Sequence, residues 1–380
     1  MISEINSIMQ LVGYGNVLMT RPCGRYGIDV VKKDGSKSCF FFSAPIRNAA
    51  NSYIQKSFVQ SNKIFVFQGT NAKVEVRENG ITLSGANGVT EVSWKMPQHF
   101  VCLSNGSVLQ SKDMQITPTL NGIMVKQRCE SMLEYDLHTT FKREFSPRFN
   151  SKSFAYMKGR FEPYFTMDVM YAEDLLGHTM LPAWIRTIDN GLGNFKLRMA
   201  PYEDFTCRLV WEINMYEPKL IQDTTVESMR PQENNVFGNM AFIGRNEGVG
   251  IQILYSRFDF GRIDHAHQQN MAHVLLHIPY YALGNDLKIS APFRRFCSFG
   301  SNWGNRMPFE DYEVSVARSP GYYTLDVSSH LIDKHGNFML NTGIVISPKY
   351  KDGVTVLATA DNYNTPQIIE IQYRKEKDNE

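Results

Sequence analysis

From Gly15 onward the chain alternates hydrophobic and polar residues with a period of two, and Asx-Gly pairs interrupt that alternation. Successive side chains of a strand point to opposite faces, so this pattern predicts half-buried β-strands. Residues 28–42 read as a hairpin reversing at Asp34-Gly35, and residues 74–83 as one reversing at Asn79-Gly80. Asn87-Gly88 leads into the alternating residues 89–94, and Asn121-Gly122 reverses residues 116–125. Asx-Gly supplies the positive φ angles of tight hairpin turns, so four such pairs between alternating segments predict an all-β protein. Phe205, Cys207, Leu209, Trp211 and Ile213 share one face of a further strand.

Two stretches depart from this period. Ile2, Ile5, Ile8, Met9 and Leu11 fall near helical spacing and stop at Gly13, which predicts a short amphipathic helix or docking arm over residues 1–14. Residues 43–60 are the other helix candidate. Further along, Glu217-Pro218-Lys219 breaks the strand pattern and a new unit starts at Asp223. A chain of 380 residues exceeds what one core usually carries. The expected division is therefore an arm over 1–14, a β-rich domain over 15–220 and a β-sandwich over 221–374.

Composition narrows the functional classes. Hydrophobic residues at 43% and charged residues at 21% are those of a soluble globular protein. Basic and acidic residues nearly balance, 40 against 38, with no dense Lys/Arg run, which argues against a nucleic-acid binder. No apolar run is long enough to predict a membrane span. The N-terminus lacks the basic and then apolar stretch of a signal peptide. The expectation is a protein made in a bacterial cytoplasm that works in a virion, a phage-like particle or at the cell surface. The many aromatics, 18 Tyr and 24 Phe, are expected mainly between sheets.

Catalytic and metal chemistry leave little trace in the pattern. Cys23, Cys39, Cys102, Cys129, Cys207 and Cys297 are scattered, without a CxxC pair, and read as free thiols acting as small hydrophobes. His273 and His277 would share a strand face with Leu275 and lie exposed or at an interface. They would stand about 13 Å apart, too far to share one zinc. His265 and His267 are close enough in sequence to pair. The neighbouring carboxylates Glu173-Asp174, Glu203-Asp204 and Glu310-Asp311 point to solvated turns rather than to a hydrolytic pair. The protein is therefore expected not to be an enzyme.

A set of short motifs recurs in order through the last third of the chain. Trp211-Glu212-Ile213-Asn214 ends a strand, and Asp223-Thr224-Thr225-Val226 opens the next unit. A turn follows at residues 235–238, then Ala241-Phe242-Ile243-Gly244, Arg257-Phe258-Asp259-Phe260 and Ala272-His273-Val274-Leu275-Leu276. Residues 303–308 begin with Trp303 and end with Pro308. Gly321 to Val327, Asn341 to Ile346 and Ile368 to Gln372 complete the series. In this order the region 195–373 resembles the DNRLRE-domain family, which includes alginate-type carbohydrate-binding modules. The Pro-containing tail of the family's lead-in strand is absent here, and residues 1–194 carry no recognised motif.

The resemblance implies a jelly-roll-type β-sandwich that binds polysaccharide. The candidate stacking residues are Trp303, Tyr322, Tyr323 and Tyr363, beside Arg306, Asn302 and Asn305 as polar partners. Arg294 and Arg295 are candidates to clamp an acidic sugar through bidentate hydrogen bonds. A structural Ca²⁺, common in jelly-roll modules, would draw on Asp223, Asn234 or Asn235, and a late loop at Asp361-Asn362. The functional expectation is a structural or adhesion protein, most readily a tail-associated component of a phage or prophage. It would contact an extracellular polysaccharide and other particle subunits, and form homo-oligomers. The alternatives are a stand-alone bacterial polysaccharide-binding surface protein, or a carbohydrate-active enzyme with an unrecognised site.

Overall fold

The computed structural model describes residues 2–24, 26–43, 46, 55–61, 64–68, 72–85, 88–93, 100–103, 108–119, 122–141, 145–149, 152–158, 162–178, 183–191, 193–201, 206–215, 220–235, 238–311, 314–339, 341–362 and 365–374. Its sheets are antiparallel throughout, as the alternation predicts, and helix Ile2–Val12 forms where the spacing places it. No helix among the described residues is long and apolar enough to cross a membrane. The chain divides into two compact units. One is Tyr53–Pro218, and the other joins Met1–Ser52 to Lys219–Glu380.

The described residues of the Tyr53–Pro218 unit form two eight-stranded sheets. The first runs in the order Ser146–Phe149, Ser153–Lys158, Glu162–Glu173, Cys207–Met215, Gly122–Cys129, Met114–Pro118, Val108–Gln110 and Val101–Leu103. The second runs Ala183–Asp189, Asn194–Pro201, Leu133–Phe141, Gly88–Ser93, Gly80–Gly85, Ala72–Arg77, Ile64–Gln68 and Gln55–Ser61. Their inner faces share one core, in which Trp211 meets Tyr135 across the layers at 5.3 Å between ring centroids. Cys207, Leu209, Trp211 and Ile213 all enter that core, as their common face requires. Residues 55–60, inside the second helix candidate, are strand, because pairing with Ile64–Gln68 overrides a weak helical spacing. Most of the rest of that candidate lies outside the described residues.

The other unit is a sandwich built around one long strand, Met271–Leu283. Its first half pairs with Ile368–Tyr373 on one side and Tyr322–Asp326 on the other. Its last residues pair with Val354–Ala358, across an irregularity between Tyr280 and Ala282. From Val354–Ala358 the sheet continues through Met240–Asn246, Gly250–Phe258, Ile344–Pro348, Leu287–Pro292 and Phe309–Asp311. From Ile368–Tyr373 it continues through Lys37–Phe42 and Gly27–Lys32 to the edge strand Val17–Cys23. Cys39, Phe41, Ile369 and Ile371 face the shared core together with Ile243, Leu254 and Ile346. Phe40, Phe42 and Ile368 face the other way, where Ile8 of the N-terminal helix packs over them.

Residues 15–52 therefore do not belong to the Tyr53–Pro218 unit, unlike in the linear division at residue 220. Lys37–Phe42 pairs with Ile368–Tyr373 from Ser38↔Gln372 to Phe42↔Ile368. Alternation fixes which face of a strand is buried but not which strand lies beside it, so this long-range pairing has no local signature.

Candidate functional site

The most elaborate loop of the described residues spans 293–308. It joins two strands that are hydrogen-bonded neighbours, with Pro292 opposite Phe309, so its ends are held together. Loops of this closed, self-packed kind frequently carry function. Asn302 and Asn305 exchange bonds: each backbone N–H donates to the other's Oδ1, at 2.8 and 3.0 Å. Asn side chains do this readily because they mimic a backbone turn. Ser301 donates to the Cys297 carbonyl from its hydroxyl at 2.8 Å. Gly304 N–H donates to the Pro231 carbonyl at 2.8 Å, and the Tyr255 hydroxyl donates to the Met307 carbonyl at 2.7 Å. Phe296 is buried with Val226, Ile253, Tyr255 and Val345, and Trp303, Met307 and Phe309 pack against them. The loop therefore has its own apolar anchor.

Six of the nine residues named for sugar binding lie on this loop: Arg294, Arg295, Asn302, Trp303, Asn305 and Arg306. Arg306 stacks over the Trp303 ring, 4.0 Å from its centroid, and its Nη1 donates to the Trp303 carbonyl at 2.5 Å. Trp303 is half-buried, so it is both an anchor and a support for the guanidinium. Arg294 and Arg295 are exposed at the start of the loop, next to Phe293. A planar guanidinium fixed by an aromatic face is suited to carboxylates, since its five donors lie in one fork.

Tyr322 and Tyr323 are not part of this surface. They are 8% and 2% exposed. Tyr323 belongs to the sandwich core and Tyr322 to the cluster beneath the N-terminal helix. Tyr322–Asp326 has strands on both sides, Met271–Leu283 and Ser315–Ser319, and both its faces are covered. Tyr363 lies outside the described residues. Of the residues named for calcium, Asp223, Asn235 and Asn362 hydrogen-bond within the protein. Asp223 Oδ2 accepts the Ala360 N–H at 2.7 Å and Gln367 Nε2 at 3.4 Å, tying a strand start to a late turn. Asn235 donates to Glu227, and Asp361 follows the Ala360 that binds Asp223. Of the paired carboxylates, Glu173 accepts from Lys126 at 2.8 Å and Asp174 from backbone N–H groups of its own turn. Glu203 and Asp204 lie outside the described residues.

The histidines behave differently from a solvated face. His273 is exposed, but His277 is only 3% exposed, because the helix cluster covers that face of the sheet. Its Nδ1 lies 2.8 Å from Thr324 Oγ1 and its Nε2 lies 3.1 Å from Glu370 Oε2. Glu370 also accepts from Lys32 Nζ at 3.2 Å, Ser38 Oγ at 3.1 Å and Gln372 Nε2 at 2.9 Å. Burial alone would raise this carboxyl; His277, Lys32 and Gln372 outweigh it and hold the group down at about 2.

A second polar centre was not legible as a motif. Cys23, Asp29, Cys39 and His267 place their ligating atoms within 4.8 Å of one another. The two sulfurs are 3.0 Å apart, and His267 Nδ1 is 3.9 Å from Asp29 Oδ1. Strand pairing builds the arrangement. Asp29 lies opposite Cys39 and Cys23 opposite Gly27, so all four positions share one face of the sheet. The Cys23 side chain crosses over Gly27, where an added Cβ would lie 2.5 Å from the sulfur. His267 comes from the turn His265–Gln268, with Nδ1 2.8 Å from the Tyr373 hydroxyl and the ring edge-on to Phe41. It does not pair with His265, which contacts Gln269 instead. Burial first, then Cys23 and Asp29, push the Cys39 thiol up. The reversal uses three residues, 33–35, and so sets Asp29 opposite Cys39, whereas a two-residue turn at Asp34-Gly35 would have set it opposite Phe40. No family model and no curated protein matches the chain.

Proposed function

We propose that this chain is a non-enzymatic structural or adhesion protein whose C-terminal, jelly-roll-type sandwich binds acidic polysaccharide through the loop 293–308. The observation that carries the reading is the Trp303–Arg306 stack on a loop whose ends are fixed by Pro292↔Phe309. The stack holds the guanidinium in place before a ligand arrives, which lowers the ordering cost of binding. Exposed Arg294 and Arg295 add positive charge on the same loop. An acidic sugar suits this set better than a neutral one, because Arg306 covers a face of Trp303 that a neutral ring would stack on.

The setting we propose is a particle or surface assembly, with a tail-associated phage or prophage component as the leading form. The edge strand Val17–Cys23 supports self-assembly, since Leu18 and Met19 are 68% and 56% exposed. An unpaired edge with apolar side chains is a template for another chain. The test is a glycan array of uronate-rich and neutral polysaccharides, read with the full-length protein. Binding is expected to be confined to acidic polymers, to fall with added salt, and to drop about tenfold or more in Arg306→Ala. Arg294→Ala/Arg295→Ala should weaken it without changing the melting temperature. Salt-insensitive binding, or binding unaffected by both variants, would place the site elsewhere.

A further inference from the structure

The geometry points to a structural zinc site formed by Cys23, Asp29, Cys39 and His267 at the rim of the C-terminal sandwich. The donor set is two thiols, a carboxylate and an imidazole, and all four ligating atoms already lie within 4.8 Å of one another. Tetrahedral zinc with bonds of about 2.0–2.3 Å separates its ligand atoms by about 3.3–3.8 Å. Small side-chain rotations therefore close the site, with the sulfurs moving apart from 3.0 Å. Two sulfur ligands favour zinc over the hard cations, which take oxygen.

A disulfide fits this pair less well. Val17–Cys23 and Lys37–Phe42 are not neighbours, because Gly27–Lys32 runs between them. A disulfide bond is about 2.05 Å long, whereas both thiols are free here with their sulfurs 3.0 Å apart, nearer to the spacing of two ligands on one ion. Gly27 supports the same reading, since only a residue without a Cβ lets the Cys23 sulfur cross the intervening strand. The surroundings are those of a ligand shell. Tyr373 fixes the His267 ring through Nδ1, Phe41 packs on its edge, and Cys39 is fully buried. Hydrogen-bonded second-shell partners of this kind orient metal ligands.

Binding is a simple exchange. Both thiols release their protons, two zinc–sulfur bonds form, and the cation gains one carboxylate oxygen and one imidazole nitrogen as its other ligands. All four positions being protein side chains, the site is closed and its role is to hold structure rather than to activate water. It ties Val17–Cys23, an edge strand among the described residues, to the turn that leads into Met271–Leu283.

The test uses the full-length protein, reduced, stripped with a chelator and titrated with Co²⁺ and then Zn²⁺. One ion per chain is expected, with thiolate-to-cobalt charge-transfer and tetrahedral d–d absorption that Zn²⁺ bleaches. The calorimetric enthalpy of Zn²⁺ binding should vary with the ionisation enthalpy of the buffer, because protons are released. Zn²⁺ should raise the melting temperature of the stripped protein. Cys23→Ser and Cys39→Ala should abolish the charge-transfer band, while Cys102→Ser, an exposed thiol, leaves it unchanged. If Cys39→Ala fails to fold, Tyr373→Phe carries the test, with affinity expected to fall about 10–100-fold. A folded protein with no charge-transfer band, or a band that survives in Cys23→Ser, overturns the site. So does a mass lower by a pair of hydrogens, restored by a thiol reductant and mapped to Cys23 and Cys39.

Discussion

Glu370 is a carboxylate removed from water, and it stays charged because Lys32, Ser38, His277 and Gln372 take the place of that water. Its folded-state value of about 2 lies below the ordinary 4.5. The folded protein therefore binds this proton less readily than the unfolded chain. The stabilisation is complete above about pH 4.5 and is lost as the pH falls through about 2. A shift of this size corresponds to roughly 3 kcal/mol. In Glu370→Gln the stability should fall at neutral pH, and the loss of stability between about pH 5 and pH 2 should flatten. Urea midpoints measured across that range for both proteins check it. An unchanged pH profile would mean that Glu370 is not the group that titrates.

At the scale of the strand, the Asx-Gly hairpins owe their glycines to the neighbouring strand as much as to the turn. Gly122 is the first residue of its strand and lies against Cys207–Met215, where an added Cβ would sit 1.9 Å from the Ile213 carbonyl oxygen. Gly80 adopts φ +139° and meets the Val92 carbonyl oxygen in the same way, at 2.2 Å. Gly122→Ala must push two paired strands apart, and a loss of at least about 1–3 kcal/mol is expected. Gly15→Ala faces open space and should change stability by less than about 0.5 kcal/mol. Thermal melts of the two variants check the contrast, and equal effects would remove the close approach as the cause. The loop 293–308 belongs to this scale too. Its Trp and Arg residues stand out in the sequence, whereas the pairing of Pro292 with Phe309 that closes it does not.

For the whole molecule, the sandwich is assembled from the two ends of the chain. Cutting at residue 195 removes Gly27–Lys32 and Lys37–Phe42, and exposes the edge of Ile368–Tyr373 with one face of its core. That fragment should not show a cooperative melt. Residues 1–52 joined to 219–380 by a flexible Gly/Ser linker of about 10 residues should show one. Residues 53–218 expressed alone should also fold, since both sheets and their shared core lie inside that segment. Dispersed amide spectra and melting curves of the three fragments check this. A folded 195–380 fragment would show that the N-terminal strands are dispensable.

The sequence by itself determined the all-β class, the N-terminal helix, the Asx-Gly hairpins and the inward face of strands such as Cys207–Met215. Each follows from local periodicity or from turn chemistry, which involve residues a few positions apart. It also singled out Trp303, Arg306, Arg294 and Arg295, because aromatic and guanidinium side chains near polar turns carry their chemistry in their identity. Only the tertiary structure decided that Tyr322, Tyr323 and His277 are buried, since the strands and helix that cover them are remote in sequence. The same holds for the Cys23–Asp29–Cys39–His267 centre. Strand register brings its first three members onto one face, but His267 reaches them only because Lys37–Phe42 pairs with the last strand of the chain, which lies next to the one His267 precedes. Long-range pairing is selected by the burial of whole faces, and no short stretch of residues encodes it.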